Sequence, residues 1–142
     1  MTNRNILLVE DNIAHVRLIK EAFKENGGTH QMMSVNDGVE AIAYLRQERD
    51  YTSVPRPDII LLDLNLPKKN GHEVLAEIKA DPNLKHIPVL ILTSSKREDD
   101  ILKSYDLHAN CYLNKSGNLQ QLFEVVRKIE DFWLTTTMLP ST

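Results

Sequence analysis

An unbroken apolar run followed by a single acid is the feature that most constrains this chain. Ile59–Leu62 is wholly apolar, which is typical of a parallel strand buried on both faces. Asp63 comes directly after it, and an unpaired charge is costly to bury. Pro67 and Gly71 break regular structure, so the chain turns there. We therefore expect Asp63 to lie at the mouth of a site, at the carboxyl end of a central strand.

Strand-like and helix-like segments alternate along the rest of the chain. Further apolar runs predict strands at 6–9, 30–35, 87–92 and 109–113. Apolar spacing and capping residues predict helices at about 13–25, 38–48, 72–80, 97–107 and 118–134. This alternation predicts a parallel sheet with right-handed crossovers and helices on both faces. The expected fold class is α/β, a flavodoxin-like, doubly wound five-stranded sheet of order 2-1-3-4-5 with five helices.

Composition narrows the class of protein. The 142 residues fit a single domain, with a core at about 4–134, a short tail at 135–142 and no output domain. A net charge of −3 gives no electrostatic case for nucleic-acid binding. A single cysteine, Cys111, excludes an internal disulfide. No apolar stretch approaches a membrane span and no signal-peptide pattern is present, so we expect a cytoplasmic protein without a membrane partner.

Polar residues stand at the carboxyl ends of the predicted strands. Glu10 and Asp11 follow the first strand, Asp63 the third, Thr93 the fourth and Lys115 the fifth. In doubly wound sheets, ligands bind beyond these ends, between strands one and three. Carboxylates held close together repel one another, and a hard dication removes that conflict. Asp11 and Asp63, with water and a loop carbonyl, therefore predict a Mg²⁺ site.

This set of groups fits phosphoryl transfer. An aspartate can act as nucleophile and form an acyl phosphate. Asp63 would attack, the metal would bind one phosphoryl oxygen, Lys115 a second, and Thr93 with backbone N–H groups the third. No P-loop and no GxGxxG follows a strand, which disfavours nucleotide binding, so the phosphoryl group would come from another protein or a small phosphodonor. The five histidines are dispersed, without a zinc-site pattern, and all are expected at the surface or in loops: His15, His30, His72, His86 and His108.

The motifs resemble the response-regulator receiver domain of two-component signalling over nearly the whole chain. They are the acidic pair in LLVEDN, the acceptor motif DLNLP with Gly71 closing its loop, the threonine in LILTSS and the lysine in CYLNKS. The resemblance implies a CheY-like fold in which Asp63 is the phosphorylation site. It also implies that Asp11 ligates Mg²⁺ directly and that Glu10 acts through water.

The same resemblance implies roles for Asn65, Tyr112 and Thr93. Asn65 would give its backbone carbonyl to the metal. Tyr112 matches the switch aromatic, which turns inward as Thr93 moves toward the phosphate.

Two positions depart from the family's pattern: Ser116 stands where a proline usually follows the lysine, and His108 where a glycine often ends the fourth helix.

Longer segments narrow the resemblance. PRPDIILLDLNLPKKNGHEVLAEIK, SYDLHANCYLNKS and IEDFWL are similar to the small cyanobacterial regulators paired with phytochrome histidine kinases. The resemblance therefore implies a phytochrome-like histidine kinase as partner, with a phosphohistidine as donor. Such a protein would not be an enzyme and would signal by changing its shape and its partners.

The last helix leaves a question about assembly. One apolar stripe runs along it: Leu119, Leu122, Phe123, Val126, Ile129 and Trp133. Val125 and Phe132 widen that stripe, which then serves either as a broad core face or as a partner surface. With Tyr105 and Tyr112 on the same side, we predict a homodimer through helix four, strand five and helix five.

Two rival functions fit the fold but not the residues. A Mg²⁺-dependent phosphohydrolase with an aspartyl-phosphate intermediate needs a second acid two residues after the nucleophile, and Asn65 cannot serve as one. It also needs a substrate cap, and no insertion is long enough. An FMN binder of the flavodoxin type needs a phosphate-cradling loop after the first strand. Here that position holds Glu10, Asp11 and Asn12, which would repel phosphate.

Overall fold

The computed structural model describes residues 3–27, 30–115 and 117–140, and it shows one five-stranded parallel sheet. The strands lie in the order β2-β1-β3-β4-β5, as the sequence predicts. Their bounds are β1 Asn5–Val9, β2 Gln31–Val35, β3 Ile59–Leu62, β4 Val89–Thr93 and β5 Cys111–Asn114. All four strand pairs are parallel, so the carboxyl ends of the five strands share one edge. That edge is where the predicted site residues are expected.

Five helices cover the two faces of the sheet. Their bounds are α1 Ile13–Glu25, α2 Gly38–Leu45, α3 Gly71–Ala80, α4 Glu98–Asp106 and α5 Leu119–Lys128. The side chains of Asn12, Asp37, Asn70 and Asn118 cap the first, second, third and fifth of these helices by accepting a backbone N–H. α1 and α5 pack with one cluster of core side chains, and α2 and α3 with the other.

The three central strands explain the long apolar runs. Every residue of β3 and β4 is buried, and so are the last four residues of β1. Successive side chains of a strand point to opposite faces, and here both faces are covered by helices. Unbroken apolar runs are therefore required at these three strands, whereas β2 and β5 at the edges tolerate polar residues.

Two helix ends differ from the sequence predictions. α2 ends at Leu45 rather than near Glu48, because Gln47 has a left-handed backbone with φ of 56°. α5 ends at Lys128, and the chain continues as a π-helix over Ile129–Thr136. The expected α-helical stripe therefore stops before Trp133, which is only partly buried, whereas Leu134 is buried.

Of the five histidines expected at the surface or in loops, His30 lies in a loop but is largely buried, and His72 is partly buried on a helix. The side chain of His30 is only 9% exposed and lies 3.1 Å from Glu130 Oε1. His72, on α3, is half-buried and lies 3.0 Å from Ser104 Oγ on α4. Both side chains bridge elements that are distant in the sequence, a feature that local patterning does not reveal.

The departures from the family's pattern have different outcomes. His108 adopts φ of 71°, the left-handed conformation that the glycine at this position would supply. Ser116 lies outside the described residues. Within the described ranges, no helix is long and apolar enough to cross a membrane.

Candidate functional site

Backbone hydrogen bonds carry the sheet one residue beyond its strands, and so fix the first residues of the site. The N–H of Asp63 donates to the carbonyl of Val9 at 3.1 Å, and the N–H of Glu10 to the carbonyl of Val35 at 3.0 Å. The N–H of Lys115 donates to the carbonyl of Thr93 at 2.9 Å. The side chains that follow β1, β3 and β5 are thus held by the sheet rather than by mobile loops.

An acidic cluster forms where β1 and β3 end. One carboxylate oxygen from each of Glu10, Asp11 and Asp63 lies within 4.8 Å of the other two. Glu10 and Asp63 are 2% and 5% exposed, whereas Asp11 is exposed. Hard divalent cations prefer oxygen ligands, and the positive charge would offset the mutual repulsion of these acids. The donor set therefore fits a divalent cation of the Mg²⁺ type.

Lys115 reaches into the same cluster from the end of β5. Its Nζ lies 3.2 Å from Asp63 Oδ2 and also bonds Glu10 Oε1. The side chain is 4% exposed, so this amine is enclosed with the acids and not free in solvent. The ammonium group of Lys115 thus contacts two of the three carboxylates, and its single positive charge leaves an excess of negative charge in the cluster.

The surroundings of Glu10 in this cluster raise the pKa of its carboxyl group. Burial is the main cause that raises its pKa above the ordinary value, and the charge of Asp63 raises it further. The hydrogen bonds from Lys115 and from the backbone N–H of Asn12, the latter at 3.1 Å, act in the opposite direction. The net direction of the Glu10 pKa is upward, as expected for an acid that is buried beside a second carboxylate.

Thr93 and Tyr112 are connected through Ser95. Thr93 is fully buried, and its Oγ1 accepts the N–H of Ser95 at 3.4 Å. The hydroxyl of Tyr112 donates to the carbonyl of Ser95 at 3.0 Å. The hydroxyl of Ser95 donates to Asp100 Oδ2 on α4 at 2.6 Å. One residue thus joins the site, β5 and the first turn of α4, and sequence reasoning did not single it out.

The loop after Asp63 is folded tightly against α2. The N–H of Gly71 donates to the carbonyl of Leu64 at 2.9 Å, which closes the loop. A Cβ on Gly38, the first residue of α2, would lie 2.0 Å from the carbonyl oxygen of Lys69. Asn65, the predicted carbonyl ligand, lies in this loop, and its N–H is 3.5 Å from Asp63 Oδ1. The path of the loop therefore depends on the missing side chain at position 38.

The structure brings together the side chains that the sequence predicted at the site. Glu10, Asp11 and Asp63 form one cluster, and Lys115 contacts Glu10 and Asp63. Thr93 is the last residue of β4, the strand that pairs with β3. His15, in the first turn of α1, was not anticipated, and its Nδ1 lies 3.7 Å from Glu10 Oε1. Its only sequence signal is its position five residues after Glu10, which is too weak to predict a contact.

The chain is similar to known proteins over most of its length. Residues 6–127 match the family described as response regulator receiver domain. The chain is 55% identical over 136 residues to the response regulator Rcp1 of Synechocystis sp., covering 96% of this chain and 92% of that protein. It matches the phosphorylated cyanobacterial phytochrome response regulator RcpA with a TM-score of 0.94 and 60% identity, covering 99% and 100% of the two chains. For the Mn²⁺-bound form of Rcp1 the TM-score is 0.92 at 54% identity, with 97% and 99% covered.

Proposed function

The chain belongs to the response regulator receiver domain family, and we propose that it accepts a phosphoryl group on Asp63 from a histidine kinase in a Mg²⁺-dependent reaction. The observation that carries the proposal is the contact of Lys115 with both Glu10 and Asp63 beside Asp11. It places a buried amine and a metal-compatible acid cluster around one carboxylate.

The proposed transfer is a substitution at phosphorus. A carboxylate oxygen of Asp63 forms a bond to phosphorus, and the bond from phosphorus to the donor's imidazole nitrogen breaks. The imidazole leaves with the electron pair of that bond and takes a proton from solvent. A divalent cation held by Glu10, Asp11 and Asp63 would offset the negative charge of the phosphoryl oxygens.

Three groups of this chain would stabilise the transferring phosphoryl group. Lys115 Nζ, already 3.2 Å from Asp63 Oδ2, would donate to one phosphoryl oxygen. The hydroxyl of Thr93 and nearby backbone N–H groups would donate to another. Glu10 and Asp11 would hold the cation, directly or through water, and the carbonyl of Asn65 would complete its oxygen ligands. These roles are our proposal for the predicted residues.

The kinase partner is proposed to be a phytochrome. Support comes from the likeness to RcpA, described as a cyanobacterial phytochrome response regulator, at 60% identity. Mg²⁺ is proposed as the physiological ion, although the related structure of Rcp1 contains Mn²⁺, because both are small, hard cations with a similar preference for oxygen. As a phosphoryl acceptor from a sensor kinase, the protein is proposed to work in the cytoplasm.

A homodimer through α4, β5 and α5 is also proposed. Leu102 and Tyr105 on α4 are exposed and three residues apart, so they share one side of that helix. Leu119 at the start of α5 is likewise exposed. Analytical ultracentrifugation with and without phosphorylation tests this part, and monomer under both conditions removes it.

Incubation with acetyl phosphate and Mg²⁺, followed by intact mass, tests the main proposal. We expect one added phosphoryl group in the wild-type chain and none in Asp63→Asn. Asp106→Asn, which changes an exposed acid on α4, is the matched control and should be labelled normally. Retention of the label in Asp63→Asn, or no label in the wild type with Mg²⁺ present, refutes the assignment.

A further inference from the structure

The C-terminal continuation of α5 is π-helical over eight residues, Ile129–Thr136. π-Geometry is rare, occurs mostly as single-turn bulges inside α-helices and is frequent at functional sites. The sequence pattern favours a continued α-helix at this position, with Trp133 in the apolar stripe. Some contact must therefore stabilise the wider register here.

The two registers expose different side chains. In an α-helix, residues three and four positions after Ile129 share its face, so Phe132 and Trp133 would turn toward the sheet and Leu134 away from it. With i→i+5 hydrogen bonds, Leu134 comes to lie on the face of Ile129 instead. Leu134 is 4% exposed and Phe132 is 57% exposed, as the π register requires. A change of register would exchange Leu134 and Phe132.

A buried contact stands at the start of the π-helix. Glu130 is 8% exposed, and its Oε1 lies 3.1 Å from Nε2 of His30, just before β2. The other ring nitrogen of His30 accepts the backbone N–H of Arg4 at 2.9 Å, so the Nε2 atom carries the proton donated to Glu130. The ring is thus fixed at both ends, and it holds residue 130 on the buried side of the segment.

Two threonines stand at the other end. The hydroxyl of Thr136 donates to the carbonyl of Asp131 at 2.7 Å, and that of Thr137 to the carbonyl of Phe132 at 2.6 Å. The backbone N–H of Thr137 donates to the same carbonyl of Phe132 at 2.7 Å. In an α-helix a threonine hydroxyl bonds the carbonyl three or four residues back. Both hydroxyls here reach five residues back, so their hydrogen bonds are specific to the π register.

We propose that the His30–Glu130 contact and the hydroxyls of Thr136 and Thr137 select the π register, and thereby keep Phe132 on the outside of the protein. The segment is then a two-register element. Its π form presents an exposed aromatic ring, 5.7 Å from the ring of Trp133 in an edge-to-face pair, and its α form withdraws that ring. The proposal goes beyond phosphorylation at Asp63 and does not depend on it.

The test uses ¹⁹F NMR of the full chain labelled with 4-fluorophenylalanine. The chain has three phenylalanines, so three signals are expected, and Phe132→Leu assigns one of them. The shift of a fluorine signal between H₂O and D₂O reports its exposure to solvent. We expect the Phe132 signal to show the largest shift, since Phe23 is buried and Phe123 is partly buried.

The decisive variant is His30→Asn. Asparagine can still accept the N–H of Arg4, but it is too short to reach Glu130, so the carboxylate is left buried without its partner. We expect the segment to move to the α register and the solvent shift of Phe132 to fall at least twofold. His30→Asn/Glu130→Leu should restore the shift, because a leucine is stable on the buried side. His86→Asn, which changes an exposed histidine, is the matched control.

Thr136→Val/Thr137→Val tests the same register without touching the buried contact. It removes both hydroxyls at nearly constant side-chain shape, and the Phe132 shift should again fall. An unchanged Phe132 shift in folded His30→Asn overturns the proposal. If His30→Asn does not fold by circular dichroism, an unchanged shift in the threonine variant overturns it instead.

Discussion

Replacement of Gly38 by alanine should displace the loop that follows Asp63, because α2 packs against that loop at position 38. The added Cβ would lie 2.0 Å from the carbonyl oxygen of Lys69 and 2.7 Å from its carbonyl carbon. An ordinary C···O contact is about 3.3 Å, so the two backbones must separate by roughly 1 Å. Lys69 Cβ also lies 2.7 Å away, and because a Cβ is fixed to the backbone, no side-chain rotation relieves the clash. The loop that carries Asn65 must therefore move.

The expected magnitude combines two opposing effects. Overpacking in a tight region costs about 1–3 kcal/mol, and the upper end applies here because backbone must shift. Alanine regains about 0.5–1 kcal/mol relative to glycine in a helix. The net destabilisation of Gly38→Ala is therefore about 2 kcal/mol, or a fall in Tm of roughly 8 °C for a chain of this length. Misplacement of the loop should also weaken divalent-metal binding by roughly tenfold.

Urea denaturation and a Mn²⁺ titration followed by electron paramagnetic resonance measure the two effects. Gly27→Ala is the matched control, because no atom lies within 4 Å of its added Cβ although φ is +78°. It should cost about 1 kcal/mol from backbone strain and leave Mn²⁺ affinity unchanged. Wild-type stability in Gly38→Ala, or equal loss of Mn²⁺ affinity in both variants, would show that position 38 does not set the path of the loop.

Two further predictions concern the acids around the site. The raised pKa of Glu10 means that, in metal-free protein, its contribution to stability is fully present below its ordinary value of 4.5 and is lost as pH rises through the raised value. Glu10→Gln should remove this loss. The free energy of unfolding of the variant should therefore rise relative to that of the wild type as the pH increases from 4, when both are measured by urea denaturation in the presence of a chelator. A difference that does not change with pH contradicts the reasoning. Asp100→Ala should lower the free energy of unfolding by about 1–2 kcal/mol in the same assay, because it removes the acceptor of the Ser95 hydroxyl at 2.6 Å. Asp99→Ala, which removes an exposed ion pair, should have little effect. Equal effects of the two variants would argue against the Ser95 contact.

The sheet and the acid cluster were predictable because each rests on a rule that acts locally. Ile59–Leu62 is apolar throughout because both faces of β3 are covered. Asn12 and Asp37 mark the starts of α1 and α2 because each accepts a backbone N–H. Once the strand order follows from the alternation, the carboxyl ends of the strands must meet, and their polar residues meet with them.

The features that sequence reasoning missed depend on contacts between distant segments. The π register depends on His30 and Glu130, which are a hundred residues apart in the chain. No periodicity encodes that contact, and the apolar residues near Trp133 fit an α-helix equally well. Ser95 was missed because a serine in a loop after a strand is ordinary. Its importance comes from bonding Thr93, Tyr112 and Asp100 together, which only the fold shows.

If Asp63 is phosphorylated as proposed, the contacts of the site give a route by which that change would reach α4. In the structure, Lys115 is shared between Glu10 and Asp63. A phosphoryl group adds about −1.5 to −2 charges, and hydrogen-bond donors must turn toward it. If the hydroxyl of Thr93 turns, its hydrogen bond with the N–H of Ser95 is lost or drawn along. Because Ser95 also holds Asp100 at 2.6 Å, a displacement that begins at Thr93 would then be passed to the first turn of α4.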